Sequence, residues 1–259
     1  MAEDKVLTAE MERFAEICRS VRSAQRERDG IGTYMEKSVH LALKIFFEPD
    51  ENFREVPVGG YIADIKNEWG IHEIQTSGFG SLKRKLEEYL SCYMVEIIYP
   101  VIEKSSIMWV SPDTGEVVRR HASTRRRRPA EIFKELLYLG ESLYSPGLSF
   151  TIVSLEAEEL RLLDGYGGER KRRATKVDKF PTRLTGIRRY ASVYQMTDLF
   201  EYSDGDLFTG DDIRKFLRAP GRSGWAALKV MEEAGIAVRC GREGRRIVYK
   251  FCEKSSMGC

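Results

Sequence analysis

The sequence predicts an α/β fold: a mixed sheet flanked by helices, with a smaller helical and hairpin domain at the C-terminal end. Three stretches carry that expectation. Residues 60–83 read as strand, tight connection, strand and the opening of a helix. Residues 93–99 are an almost unbroken apolar run, the pattern of a strand buried on both faces. Residues 193–252 show helical spacing interrupted by turn signals and end in two short strands.

Taken in order, residues 8–27 form an amphipathic helix. Thr8 is its N-cap, Met11, Phe14, Ile17, Cys18 and Val21 make one stripe, and Gly30 stops it. Residues 1–29 are thus an N-terminal helix packing on the domain that follows. That domain spans residues 30–165 and opens with a second helix over 32–45, with Val39, Ala42 or Leu43, and Phe46 at helical spacing. Glu36 falls in its first turn. A strand over 53–58 comes next, then one holding Asp64, then one holding Glu73 and Gln75. Strand side chains alternate, so Glu73 and Gln75 share one face while His72 and Ile74 take the other. Paired as a hairpin, the two strands lay Asp64 beside Glu73. Adjacent carboxylates repel unless a cation lies between them, and hard oxygen ligands suit Mg2+. The helix that follows buries Leu82, Leu86, Tyr89 and Leu90 and carries Lys83, Arg84 and Lys85 on its opening turns. His72 and His40 read as packing residues. Beyond the apolar strand, residues 106–110 and 116–118 make a hairpin about a turn at 112–115.

This order of elements, with Glu36, Asp64 and Glu73-x-Gln75 in sequence, resembles the PD-(D/E)xK, or restriction-endonuclease-like, nuclease superfamily over residues 30–111. The chain is also similar to members of a prokaryotic family with the same Glu-Ile-Gln-Thr stretch, from which no activity carries over. The superfamily resemblance implies a restriction-endonuclease-like sheet. It also implies that Asp64, Glu73 and the Ile74 carbonyl hold Mg2+ or Mn2+, and that Glu36 orients a water or touches a second ion. The ion would act as a Lewis acid on the scissile phosphate, and cleavage would leave a 5′-phosphate. The sequence departs from the pattern at Gln75, which stands in the usual lysine position. An amide orients a water but supplies no charge. Lys83 or Lys85, from the next helix, is the candidate replacement.

The middle of the chain is basic. Residues 116–190 hold 17 Lys and Arg against 10 Asp and Glu, in a chain whose net charge is only +2. Six arginines fall within residues 119–128, including Arg125, Arg126, Arg127 and Arg128. A second cluster comprises Arg170, Lys171, Arg172 and Arg173. Arginine forks match phosphate oxygens, and neutralised phosphates release counterions, so both clusters point to nucleic acid. Between them, Pro129 starts a helix over 130–139 and residues 148–155 form a strand. Residues 166–192 read as a basic linker, with 174–192 a linker or extended arm.

The C-terminal domain, residues 193–252, has Thr209 and Asp212 as a capping box, a helix at 213–217, a turn at 220–223, a helix at 224–234 and strands at 236–239 and 246–251. The pattern resembles a winged helix-turn-helix. That resemblance puts Arg222, Ser223 and Lys229 on or before a recognition helix and Arg242, Arg245 and Arg246 on a wing. Trp225, at helical spacing with Leu228, reads as core.

Composition narrows the class. Five cysteines are scattered without metal-ligand spacing, as for reduced thiols in a cytoplasmic protein. The N-terminus lacks an apolar signal core, and no apolar run approaches the roughly 20 residues of a membrane span. The expected protein is a cytoplasmic, metal-dependent DNA endonuclease without a membrane partner. A double-strand cut needs two active sites, which suits a homodimer. The alternative is a regulator or adaptor that keeps the nuclease fold and DNA binding without catalysis.

Overall fold

The computed structural model describes residues 2–27, 37–165, 174–219 and 221–252. It is a mixed α/β architecture with a large sheet flanked by helices. The seven strands are β1 (Arg54–Val58), β2 (Tyr61–Asn67), β3 (Gly70–Ile74), β4 (Val95–Val110), β5 (Val117–Ala122), β6 (Leu148–Leu162) and β7 (Thr175–Tyr190). Their order is β1-β2-β3-β4-β6-β7, with β5 paired to β4. The β2/β3 pair is antiparallel, β3/β4 parallel and β4/β5 antiparallel. Pro57 and Pro181 lie in the two end strands of that order, where a missing N–H need not break a ladder. Among the described residues no helix is long and apolar enough to cross a membrane.

The chain divides into two compact units. The first takes in Met1–Arg54, Pro100–Arg127 and Val153–Ile187. Here α1 (Ala2–Glu27) packs on α2 (Ser38–Phe47). Phe14 meets Phe46 edge-on at 5.3 Å, and Arg13 donates to the Phe46 carbonyl at 2.7 Å. The first turn of α2 is capped from β7: the Ser38 N–H and Oγ both donate to Asp178 Oδ2, at 3.1 and 2.6 Å. A carboxylate at that end satisfies free N–H groups and complements the helix dipole.

The second unit takes in Glu55–Tyr99, Arg128–Ile152 and Arg188–Cys259. It holds α3 (Lys83–Leu90), the single turn α4 (Phe133–Leu136), α5 (Gly210–Phe216) and α6 (Arg222–Glu233). A second, three-stranded sheet has the order β8 (Leu207–Thr209), β10 (Arg246–Phe251), β9 (Ala237–Glu243) and is antiparallel throughout. The capping box at the start of α5 is present: the Thr209 N–H and Oγ1 donate to Asp212 Oδ2 at 2.8 and 2.7 Å. α4 packs on α6, and Phe200 lies against both Phe133 and Phe251 in an aromatic core.

Several expectations are corrected. Residues 95–99 and 106–110 belong to one strand of 16 residues, β4, which leaves Tyr93 and Met94 of the expected run outside it. Pro100 falls past Ile98, the last β4 residue paired with β3, so its missing N–H breaks no rung of that pair. The segment expected as a linker or arm is the 16-residue strand β7. Its buried residues Pro181, Leu184 and Tyr190 do not alternate, so period-2 reasoning misses it. The helix expected over 130–139 is an α turn between 3-10 turns. Trp225 is 60% exposed, because α6 buries Gly224, Ala227, Leu228 and Met231 instead.

Gly70 closes the β2/β3 turn with φ +126°, and a Cβ there would run into the Met94 carbonyl oxygen. Gly70→Ala is expected to lower the unfolding free energy by about 2 kcal/mol or more, read from the urea midpoint. A midpoint equal to the parent's would refute this account of the turn.

Candidate functional site

The site is built on the β2/β3 hairpin. Ile65 pairs with His72, Lys66 with Ile71 and Asn67 with Gly70. The turn is held by the Trp69 N–H donating to Asn67 Oδ1 at 3.0 Å, an Asx turn. One rung beyond Ile65–His72, side chains continue the pairing. The Asp64 N–H donates to Glu73 Oε1 at 3.3 Å, and the Ile74 N–H donates to Asp64 Oδ2 at 2.8 Å. The two carboxylates therefore lie across from each other, as the hairpin predicts.

Glu73 is 2% exposed. Burial, and then the nearby Asp64 carboxylate, push its carboxyl up to about 7, against the opposing pull of Lys85. Lys85 donates to Glu73 Oε2 at 2.6 Å from the first turn of α3. Of the two lysines considered, Lys85 is thus the one at the carboxylates. Lys83 is half exposed and lies 3.9 Å from Glu87. The Lys85 ammonium also sits 5.6 Å from the ring centre of Tyr89, one turn on.

Tyr89 is fully buried, and its hydroxyl finds no hydrogen-bond partner among the described residues. Burial first, then the Glu73 and Asp64 charges, raise its pKa. A buried donor close to two carboxylates and left unsatisfied leaves a place for a polar guest. Sequence reasoning took Tyr89 as packing; its helical spacing from Lys85 was the available signal. Asp64 and Glu73 are hard oxygen donors, and their oxygens accept from the Asp64 and Ile74 N–H groups and from Lys85. Among the described residues no three His, Cys, Asp or Glu side chains gather as a metal-binding set. Glu36 lies outside the described residues.

Gln75 is engaged with the turn that follows β3. Its Nε2 donates to the Ser77 carbonyl at 2.6 Å, while its N–H extends the β3/β4 ladder to Ile98 at 2.9 Å. Glu135 fixes the same turn by accepting from the N–H groups of Gly78 and Phe79, at 3.1 and 3.4 Å. Nothing in its sequence context marked it. His72 faces away from Glu73, as expected, with Nδ1 2.6 Å from Glu96 Oε2. Burial alone would raise Glu96, but hydrogen bonds from His72 and Thr151 outweigh it and hold the carboxyl below its ordinary range.

The expected nucleic-acid residues divide. Arg125 and Arg126 are exposed. Arg128 pairs with Glu201 at 3.0 Å and covers the Phe216 ring. On α6, Arg222 is exposed, Ser223 is half-buried and Lys229 lies 3.6 Å from Glu233 and over the Trp225 ring. Arg242 and Arg245 are exposed, and Arg246 lies 3.4 Å from Asp211. Arg170, Lys171, Arg172 and Arg173 lie outside the described residues.

An unfolded glutamate titrates near 4.5 and folded Glu73 near about 7, so the folded state holds the extra proton between those values. The stability this contributes is complete below 4.5 and is lost as pH rises through 7. It amounts to something on the order of 3 kcal/mol. Urea unfolding across this window should show the parent losing stability relative to Glu73→Gln, which carries no proton to lose. Parallel curves would show that Glu73 titrates normally.

Residues 37–191 match a family described as "Domain of unknown function (DUF8091)". A protein of Treponema pallidum (strain Nichols), named only "Uncharacterized protein", is 28% identical over 226 residues, which cover 85% of this chain and 87% of that protein. No solved structure matches the chain.

Proposed function

The chain belongs to the DUF8091 family, and we propose that it is a metal-dependent nuclease acting on DNA. In this reading the sheet is a PD-(D/E)xK, restriction-endonuclease-like core and the C-terminal helices and hairpin are a winged helix-turn-helix. The observation that carries the proposal is the opposition of Asp64 and Glu73 on paired strands, with the Lys85 ammonium 2.6 Å from Glu73. A binding module has no need to bury a carboxylate beside another.

Asp64 and Glu73 would hold Mg2+ or Mn2+, which when bound supplies Lewis-acid polarisation of a phosphate oxygen. Lys85 brings the positive charge that Gln75 lacks and stabilises charge developing on the phosphate. The Tyr89 hydroxyl, buried beside the carboxylates, would donate to an enclosed water. Lys85, with an ion held by Asp64 and Glu73, would supply the positive charge that a phosphoryl centre requires. For the C-terminal part, support comes from the capped α5, the packed α6 and the β8-β10-β9 sheet, with Arg242 and Arg245 exposed on its hairpin. The second reading, a DNA binder without catalysis, is favoured by Gln75, whose amide is engaged with Ser77.

The test is a cleavage assay on supercoiled plasmid with Mg2+ or Mn2+. The parent should nick or linearise it, Asp64→Ala should abolish cleavage while keeping DNA binding, and Lys85→Ala should slow it by about a hundredfold or more. Cleavage at the parent's rate by Asp64→Ala would remove the site assignment. Absence of cleavage by the parent, with gel-shift binding retained, would favour the second reading.

A further inference from the structure

In the first unit, the ends of β6 and β7 gather charges that neither basic cluster of the sequence includes. Glu159, on β6, has a side chain only 8% exposed. Its Oε1 accepts from Arg161 Nε at 2.8 Å, and its Oε2 lies 3.2 Å from Lys176 Nζ and 3.4 Å from Lys179 Nζ. Three cations thus converge on one carboxylate. Arg125 adds a further positive charge that acts on Lys179.

The cations are graded in depth. Arg161 is 17% exposed, Lys179 31% and Lys176 55%, so the carboxylate lies at the base and the lysines stand at the mouth. Arg161 is also fixed from behind: its guanidinium lies 5.2 Å from the Trp109 ring, which stacks on His121. A guanidinium held by a carboxylate and an aromatic face loses little freedom when it takes a further acceptor. Glu159 itself is a consequence of the cluster, since burial would raise its carboxyl but the hydrogen bonds from Arg161 and Lys176 hold it below the ordinary range. Lys179 shows the opposite strain: burial first, then Lys176, press its pKa down, with Glu159 opposing. Among the described residues Lys176 and Lys179 share one oxygen, Glu159 Oε2, so neither has a carboxylate to itself.

We infer that Arg161, Lys176 and Lys179 form a binding site for the phosphate backbone of a nucleic acid, with Glu159 as an internal counterion that holds them in place and limits their affinity. The choice of nucleic acid rests on the DNA reading proposed above. Cations gathered at one point suit the oxygens of a phosphate, and the same unit exposes Arg119, Arg125 and Arg126, which would meet neighbouring phosphates.

The experiment is fluorescence anisotropy of a labelled DNA duplex over a range of salt, with EDTA present so that binding is read apart from cleavage. Lys176→Ala with Lys179→Ala should weaken binding by about tenfold or more and reduce the slope of log K against log salt by roughly 2. Glu159→Gln, which removes the competing charge, should tighten binding severalfold. A purely structural cluster predicts the reverse for Glu159→Gln, or no change. Melting curves accompany each variant. If Glu159→Gln does not fold, the lysine pair, partly exposed, still decides. Unchanged affinity and slope in the double variant would overturn the inference. So would a parent that binds no DNA, or one that binds anionic phosphatidylserine vesicles in preference to DNA. Cleavage by the parent with normal binding by the double variant would sink this site and leave the nuclease reading standing. Cleavage by Asp64→Ala would do the converse.

Discussion

The second unit is organised around a carboxylate that cannot be left alone. Glu73 sits on a strand paired in parallel on one side and antiparallel on the other, so its side chain enters the interior. An isolated charge there would cost several kcal/mol. Three arrangements offset that cost. The Asp64 N–H reaches Glu73 Oε1, Lys85 reaches Oε2, and the carboxyl holds its proton up to about 7. Each depends on a backbone detail: the tight turn at Gly70, the Asx turn at Asn67, and α3 starting close enough to the strand end to present Lys85. The Glu135 carboxylate that holds Gly78 and Phe79 fixes that last connection. Much of the local structure can therefore be derived from the need to accommodate one acidic side chain.

Charge elsewhere follows a different rule. Basic residues that look equivalent in the sequence separate into those engaged internally and those turned to solvent. Arg128 is taken by Glu201 and Phe216, Arg239 by Glu232, and Arg246 lies by Asp211. Exposed ion pairs of this kind contribute at most about 1 kcal/mol each, but they fix where a side chain points. What remains directed outward is a smaller set than a count of Lys and Arg suggests. The Glu159 cluster, by contrast, joins two short charged runs, 156–161 and 176–179, that are apart in the sequence and meet only through the fold.

The hairpin and its two carboxylates were legible because their signals are local. Asn67 and Gly70 mark the turn, and alternation places Glu73. The same holds for α5, where Thr209 and Asp212 form a cap within four residues. What was not legible depended on distant partners. Pro100 is compatible with β4 only because β3 ends at Ile74, and β7 gains its strand character from β6 and not from its own pattern. Trp225 is exposed because the small residues Gly224 and Ala227 let α6 pack closely on its other side. Gly224 in particular lies where a Cβ would strike Arg214 and the Ala219 carbonyl. Burial there is decided by the neighbour's shape and not by the hydrophobicity of the larger side chain.

The different contacts of Gln75 and Lys85 follow from the same limits. A residue two positions after Glu73 lies at the strand end, where the chain must turn into α3. A glutamine there can donate to the Ser77 carbonyl and stabilise that turn; a lysine would bring charge but only a flexible ammonium for the same contact. A lysine on α3 lacks that duty. Its four-carbon stem spans the gap to Glu73, with the ammonium 5.6 Å from the Tyr89 ring and the side chain 18% exposed. In that setting the cation is partly desolvated and held, which strengthens its field at the carboxylates relative to an exposed lysine. The strand position thus serves the backbone and the helix position serves the charge. Glutamine in the expected lysine position reads, in the sequence, as a loss of the cation; in the folded chain a cation is present at the carboxylates, delivered from a different element.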